Sequence, residues 1–215
     1  MKLGLVLVCA GKGTRLKKDK PVLLINGKPL FYHTYRAFKG IKDIAQIVFV
    51  MRGEHIKKAA RLINDERAWY VEGGEFRRDS VMNGLYTLNE DITHVLIHDG
   101  ARPLVTPKVI TDVIAGLKKY DGVICALKAR DTLKRVSGEL VKETIKREEI
   151  VSVQTPQGFK KDVIMKAYET LSREDFYDDA QLLEKMGKKV GVVDGDTRNI
   201  KITYPQDIEF AKRIL

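Results

Sequence analysis

Short runs of valine, isoleucine and leucine recur along the chain, separated by amphipathic stretches. The runs LGLVLVCA (3–10), AQIVFVM (45–51), AWYVEG (68–73), THVLIHD (93–99), DGVICAL (121–127) and KKVGVVDG (188–195) are rich in β-branched residues and short, so they predict strands. Between them PLFYHTYRAFKG (29–40), EHIKKAARLIND (54–65), RRDSVMNGLYTLNE (77–90), TPKVITDVIAGLKKY (106–120) and KKDVIMKAYETLS (160–172) carry helical spacing. Strand followed by helix, repeated, predicts an α/β fold: a Rossmann-like doubly wound, mostly parallel sheet with helices on both faces. Most of the strands are apolar at successive positions, as they must be when both faces of a sheet are covered.

Segment 130–156, RDTLKRVSGELVKETIKREEIVSVQTP, breaks this rhythm. It is highly charged, alternates like a strand and has a turn at Ser137-Gly138, which predicts a protruding β-arm. An arm with so little apolar surface has no core of its own, and pairing with a second subunit would stabilise it. No internal repeat, linker or low-complexity tract divides the chain, so residues 1–215 are expected to form one domain with the arm at about 130–156 as a dimerisation element.

Composition narrows the functional classes. With 215 residues and 44% hydrophobic content, the chain can bury one substantial core. Its net charge of +10 fits phosphate-rich partners without separating a nucleotide from a nucleic acid or a solvated basic surface. A nucleic-acid-binding module would want aromatic platforms beside its basic residues, and segment 130–156 contains no Phe, Tyr or Trp. The two cysteines, Cys9 and Cys125, both sit in apolar runs, which fits buried thiols in a reducing compartment and a cytoplasmic location. Nothing approaches the roughly 18 apolar residues of a spanning helix, so no membrane partner is expected.

The first strand runs into Ala10-Gly11-Lys12-Gly13-Thr14-Arg15-Leu16. Glycines directly after a strand let backbone N–H groups approach an anion, and the basic side chains complement a triphosphate. The spacing is neither the dinucleotide fingerprint, whose third glycine is here Leu16, nor a Walker A loop. Taken alone it serves equally as a tight strand-to-helix turn. Lys20 follows; it and Arg15 flank the loop and could both reach one phosphate. Gly73-Gly74 after the third strand reads as a close backbone approach to a flat ligand, with Ser80 able to reach a base edge, although a plain turn and helix start accounts for the same residues. Asp99 closes the fourth strand, where open α/β sheets place their chemistry, and is the best magnesium ligand in the chain, with Arg102 beside it. His98 reads as a packed histidine.

In order, AGKGTRL, LINGKP, GGEFRRDSV, HDGARP, RDTLKR, TPQGF, DDAQLLEKMG and NIKITYPQDI resemble the 2-C-methyl-D-erythritol 4-phosphate cytidylyltransferases of non-mevalonate isoprenoid synthesis over essentially the whole chain. The resemblance implies a nucleotide-diphospho-sugar transferase-like fold and the joining of CMP, from CTP, to 2-C-methyl-D-erythritol 4-phosphate with magnesium and release of pyrophosphate. Carried over by position, Arg15 and Lys20 would stabilise the pentavalent phosphorus. Ala10, Gly11 and Gly13 would surround the triphosphate, Gly74 and Ser80 would read cytosine, and Asp99 would lie near the metal. Arg102, Thr132, Arg147, Thr155 and Lys201 would surround the sugar phosphate, with Arg147 and Lys201 holding its phosphate for attack. The arm would reach a neighbouring subunit's site in a homodimer, so Thr132 and Arg147 would act across it. The nearest rival keeps the fold and takes ribitol 5-phosphate as acceptor.

Overall fold

The computed structural model describes residues 1–11, 20–171 and 175–215. Elements run in the order β1 (Leu3–Val8), β2 (Leu24–Ile25), β3 (Lys28–Pro29), α1 (Leu30–Lys39), β4 (Ile44–Met51), α2 (Gly53–Leu62), β5 (Ala68–Glu72), α3 (Arg77–Tyr86), β6 (His94–Asp99) and α4 (Pro107–Gly116). They continue through β7 (Gly122–Lys128), β8 (Leu133–Ser137), β9 (Leu140–Ile145), β10 (Val151–Lys160), α5 (Lys161–Thr170), α6 (Ala180–Lys185), β11 (Val190–Asp194) and α7 (Pro205–Ile214). Seven strands form the central sheet in the order β11-β7-β10-β6-β1-β4-β5. All neighbours in it are parallel except β10, which runs antiparallel to both β6 and β7.

The period of two along each strand sorts side chains onto two cores. In β1, Leu3, Leu5 and Leu7 pack on one face with Phe31, Phe38, Ala59 and Val113 from α1, α2 and α4. Val6 points the other way, into a core with Val81, Leu85, Ile164, Ala167 and Leu182 from α3, α5 and α6. Both faces are thus covered, as the unbroken apolar runs require.

From β1 the chain moves outward through β4 to β5, then returns to place β6 on the other side of β1. The loops leaving β1 and β6 therefore diverge from adjacent strand ends. Such a switch point leaves a crevice outside the carboxyl ends of the strands. Because β10 runs antiparallel, its first half arrives at that same end of the sheet.

The arm is shorter than its sequence predicts. β8 and β9 form a separate two-stranded antiparallel sheet whose turn is Gly138-Glu139, one residue later than expected, with Gly138 at φ 57°. Val151 onward pairs with β7 from Val151↔Lys128 to Gln154↔Cys125, so residues 151–156 belong to the central sheet. The charged approach, and a buried half that opens on the polar Gln154 and Thr155, hid this strand.

Away from the crevice, Arg67 ties three segments together. It donates to both carboxylate oxygens of Asp65, at 2.9 and 2.8 Å, and to the carbonyls of Lys39 and Ile44, while Tyr35 Oη donates to Asp65 at 2.8 Å. Hydrogen bonds from Arg67 hold the Asp65 carboxyl well below the ordinary carboxylate range despite its burial. A depressed folded value stabilises the fold above the unfolded pKa, and that contribution is lost as pH falls. Asp65→Asn is therefore expected to cost about 2 kcal/mol at pH 7, with the gap from wild type closing below about pH 4. Denaturant melts at pH 7 and at about pH 2, well below the unfolded carboxyl pKa of about 3.9, check this; an equal gap at both would contradict it.

Candidate active site

The crevice holds two cavities that share a wall. One, of about 260 Å³, is lined by Ala10, Gly11, Lys20, Gly74 and Ser80 together with Arg77, Asp99 and Lys201. The other, of about 440 Å³, is lined by Arg102, Thr155, Gln157 and Asp178 together with the same Arg77, Asp99 and Lys201. One anion flanked by two cations thus stands between two compartments.

Asp99 ends β6 and is 8% exposed. Lys201 Nζ lies 2.8 Å from its Oδ2, Arg77 Nε 3.5 Å from its Oδ1 and Arg102 Nε 3.7 Å from its Oδ2. Burial alone would raise the Asp99 carboxyl, but Arg77, Lys201 and Arg102 outweigh it and hold the group well below the ordinary range. The carboxylate is therefore ionised at neutral pH. Three cations around one carboxylate leave the wall positive, which suits two phosphorylated ligands.

Arg77 opens α3 and was not singled out by the sequence. It donates to both oxygens of Asp179 at 2.7 and 2.8 Å, and Tyr168 Oη donates to the same carboxylate at 2.5 Å. Burial would lower the Arg77 pKa, yet Asp179 and Asp99 raise it well above the usual value, so the guanidinium stays charged. The turn before α6 is tied down as well, with Gln157 Nε2 donating to Asp178 and the Ala180 N–H donating to Gln157 Oε1. Arg77 and Asp179 lie 102 positions apart, a separation that leaves no local signal in the sequence.

Gly73 and Gly74 are small for a reason internal to the protein. A Cβ on Gly73 would come within 2.2 Å of the Ala10 Cβ, and one on Gly74 within 2.2 Å of the Asp79 Cβ. The pair thus lets the β5–α3 turn close onto the end of β1. Ser80 is buried; its Oγ accepts from Gly74 N–H at 3.1 Å and donates to Phe76 O at 3.2 Å. It holds that turn at the cavity wall.

Lys20 begins a short 3-10 turn, Lys20–Val22, whose Pro21 is buried, and the Leu23 N–H donates to the Lys20 carbonyl at 3.1 Å. Its backbone is thus anchored at the wall of the smaller cavity. Gly13 and Arg15 lie outside the described residues.

On the other side Arg102 Nη1 donates to Asn199 O at 2.8 Å, and its buried Nε has no hydrogen-bond partner among the described residues. Asn199 in turn donates through Nδ2 to Thr155 O at 2.8 Å. A break in register between Gln154 and Gln157 takes Thr155 out of the β7 ladder, and bulges of this kind re-aim side chains beside functional sites. His98 is the packed histidine that the sequence predicts: buried, edge-on to Phe38, with burial first among the causes that lower its pKa to about 4. Cys9 and Cys125 are buried free thiols, each pushed up to about 12 chiefly by burial, and so are inert.

Thr132 and Arg147 are not brought to either cavity. Both are exposed in the arm region, where Arg147 Nη1 donates to Arg130 O at 2.8 Å. Asp196 is paired with Arg198 at 2.8 Å and lines neither cavity. No group of three or more metal-binding side chains occurs among the described residues.

The family model for IspD, 2-C-methyl-D-erythritol 4-phosphate cytidylyltransferase, matches residues 3–215. The chain belongs to that family. It is 39% identical over 219 residues to the 2-C-methyl-D-erythritol 4-phosphate cytidylyltransferase of Bacillus mycoides, covering 98% of this chain and 96% of that protein. A protein of the same name from Dehalococcoides mccartyi is 40% identical over 220 residues, covering 100% and 96%. Among solved structures, 4-diphosphocytidyl-2C-methyl-D-erythritol synthase from Anaerococcus prevotii superposes with a TM-score of 0.90 at 32% identity, covering 99% of this chain and 95% of that one. The IspD assignment agrees with the α/β fold and the mostly parallel seven-stranded sheet.

Proposed function

We infer that the protein transfers the cytidylyl group of CTP to 2-C-methyl-D-erythritol 4-phosphate and releases pyrophosphate, a step in isoprenoid precursor synthesis. The observation that carries the mechanism is the shared wall: Asp99, Arg77 and Lys201 line both cavities, so a ligand in each would meet there.

In this reading CTP occupies the cavity of Gly11, Gly74 and Ser80, and the polyol phosphate occupies that of Arg102 and Thr155. A phosphate oxygen of the acceptor attacks the α-phosphorus; the new O–P bond forms as the bond to the β-phosphate breaks. A phosphate monoester is already largely dianionic near neutral pH, with a second pKa of about 6, so no general base is required. Catalysis then consists of positioning and charge neutralisation. Lys201 and Arg102 orient the acceptor phosphate, the Ala10-Gly11 backbone lies against the triphosphate, and Lys20 with Arg15 takes up charge at the α-phosphorus and leaving oxygen. The Ser80–Gly74 turn forms the wall for the cytosine.

Asp99 is the residue that would hold magnesium. It is a hard carboxylate and the one acid that lines both cavities among the described residues. That donor set fits an ion held by one carboxylate with triphosphate oxygens and water, as magnesium is commonly bound. When bound, such an ion supplies further charge neutralisation on the triphosphate.

The arm supports a homodimer. Val136 and Val141 face each other across β8 and β9 and are 60% and 61% exposed, an apolar pair that a second subunit would cover. Thr132 and Arg147, which line neither cavity of their own subunit, would then reach the partner's acceptor site. The double variant Val136→Asp/Val141→Asp is expected to sediment as a monomer and to lose about 100-fold in kcat/KM for the acceptor. A monomer with full activity would contradict this. The free, buried cysteines support a reducing, cytoplasmic setting. No helix among the described residues is long and apolar enough to cross a membrane.

Coupled detection of pyrophosphate with CTP and either acceptor tests the assignment. Methylerythritol phosphate is expected to support turnover and ribitol 5-phosphate to support little; the reverse order would move the protein to the rival activity.

A further inference from the structure

Behind the acceptor cavity lies a ring that the reaction as described leaves without a role. His98 Nε2 is 3.1 Å from the carbonyl oxygen of Arg102. A carbonyl oxygen can only accept, so Nε2 carries the ring proton. In the uncharged ring Nδ1 is then a bare lone pair, and it lies 3.0 Å from Thr155 Oγ1. The Thr155 hydroxyl must donate its single proton there. One of its lone pairs is filled as well, because the Asp99 N–H donates to it at 3.1 Å. The threonine cannot easily swing away from these partners, since Asn199 Nδ2 holds its carbonyl at 2.8 Å and the Asn199 carbonyl is itself held by Arg102. Thr155 lines the cavity but is only 6% exposed. Its remaining capacity is one lone pair.

We propose that His98 is a positioning residue that fixes Thr155 as a hydrogen-bond acceptor, so that this cavity selects a ligand presenting a hydroxyl donor at that point over one presenting a phosphate or carbonyl oxygen. The inference rests on the reading of this cavity as the polyol phosphate site. It gives Thr155 a part distinct from its cationic neighbours: Arg102 and Lys201 recognise the phosphate, while Thr155 recognises the polyol. A ligand oxygen without a proton would face the lone pair of Thr155 and leave both unpaired, which is the strongest kind of discrimination that a polar site offers.

Steady-state kinetics of the full-length enzyme with CTP and methylerythritol phosphate test the proposal through a double-mutant cycle. Thr155→Val, which keeps the shape and removes the hydroxyl, should raise the acceptor KM by about 10-fold and leave the KM for CTP unchanged. His98→Phe should do the same, because the freed hydroxyl can then turn its proton into the cavity. The double variant should be no worse than Thr155→Val alone, as expected of two residues acting through one contact. His98→Asn, whose carboxamide oxygen can stand where Nδ1 stands, should recover most of the loss. Effects that multiply in the double variant, or an equal rise in the KM for CTP, would overturn the proposal.

Should His98→Phe fail to fold, 15N NMR of the histidine rings in the wild-type enzyme decides the matter. An unprotonated Nδ1 and a protonated Nε2 support it, and the opposite tautomer overturns it. A wild-type enzyme inactive towards methylerythritol phosphate would strike the functional reading instead, with the ring tautomer still deciding this one.

Discussion

Asp99→Asn is expected to lower kcat by about 1,000-fold while leaving the KM values for both substrates unchanged or lower. The carboxylate is the one acid among the described residues that faces Arg77, Arg102 and Lys201 together; Arg77 is also paired with Asp179. Asparagine keeps the shape and removes the charge. Lys201 and Arg102, no longer partly neutralised, then face the ligands directly while Arg77 stays paired with Asp179, so two phosphorylated substrates should bind at least as well. What is lost is the group that would hold magnesium and the anchor that orients Lys201, and both matter in the transition state more than in the ground state. A parallel fall in affinity would mean that Asp99 acts in binding, and that the wall has been misread. Added magnesium should not restore turnover.

Lys20→Ala is expected to cost about 100- to 1,000-fold in kcat, with the KM for CTP changed by no more than about 3-fold. The lysine enters the nucleotide cavity from a turn whose next residue is buried, and its carbonyl is held by the Leu23 N–H. In the proposed mechanism its ammonium, so positioned, meets the charge that develops as pyrophosphate leaves. There the triphosphate as a whole is held by several other groups, so ground-state binding should survive. Lys20→Arg should remain impaired, because a planar guanidinium does not reproduce a compact point charge. Single-turnover kinetics separate the two terms; an effect confined to KM would assign Lys20 to binding alone.

The sheet was legible because six of its strands are short and apolar, and their ends fall within two residues of the expected ones. β10 was not legible, because its first residues are exposed and its buried part opens on the polar Gln154, Thr155 and Gln157, across a break in register. α6 and α7 were also missed: one is 6 residues long, and the other buries only Ala211 fully, so neither presents a wide apolar stripe.

Within the site, residues adjacent to strand ends were readable. Asp99 and Gly74 close or follow a predicted strand and Lys20 precedes the apolar run PVLLI, and the structure brings all three onto one cavity. The contacts that orient them were not readable, since Arg77 with Asp179, His98 with Thr155, and Asn199 with Arg102 join residues 102, 57 and 97 positions apart. Only the return of the antiparallel β10 to the carboxyl ends of the parallel strands brings Thr155 to Asp99. Charge was a poor guide as well: the lysine-rich surface says little, whereas a single carboxylate among three cations organises the site.

The most direct test of the two-cavity account is a structure of the enzyme with methylerythritol phosphate and a non-hydrolysable CTP analogue bound together. Cytosine should lie against the Gly74–Ser80 turn and the polyol against Thr155, with the attacking oxygen and the α-phosphorus facing each other across the Asp99 wall. Both ligands on one side of Asp99, or cytosine in the cavity of Arg102 and Thr155, would contradict it.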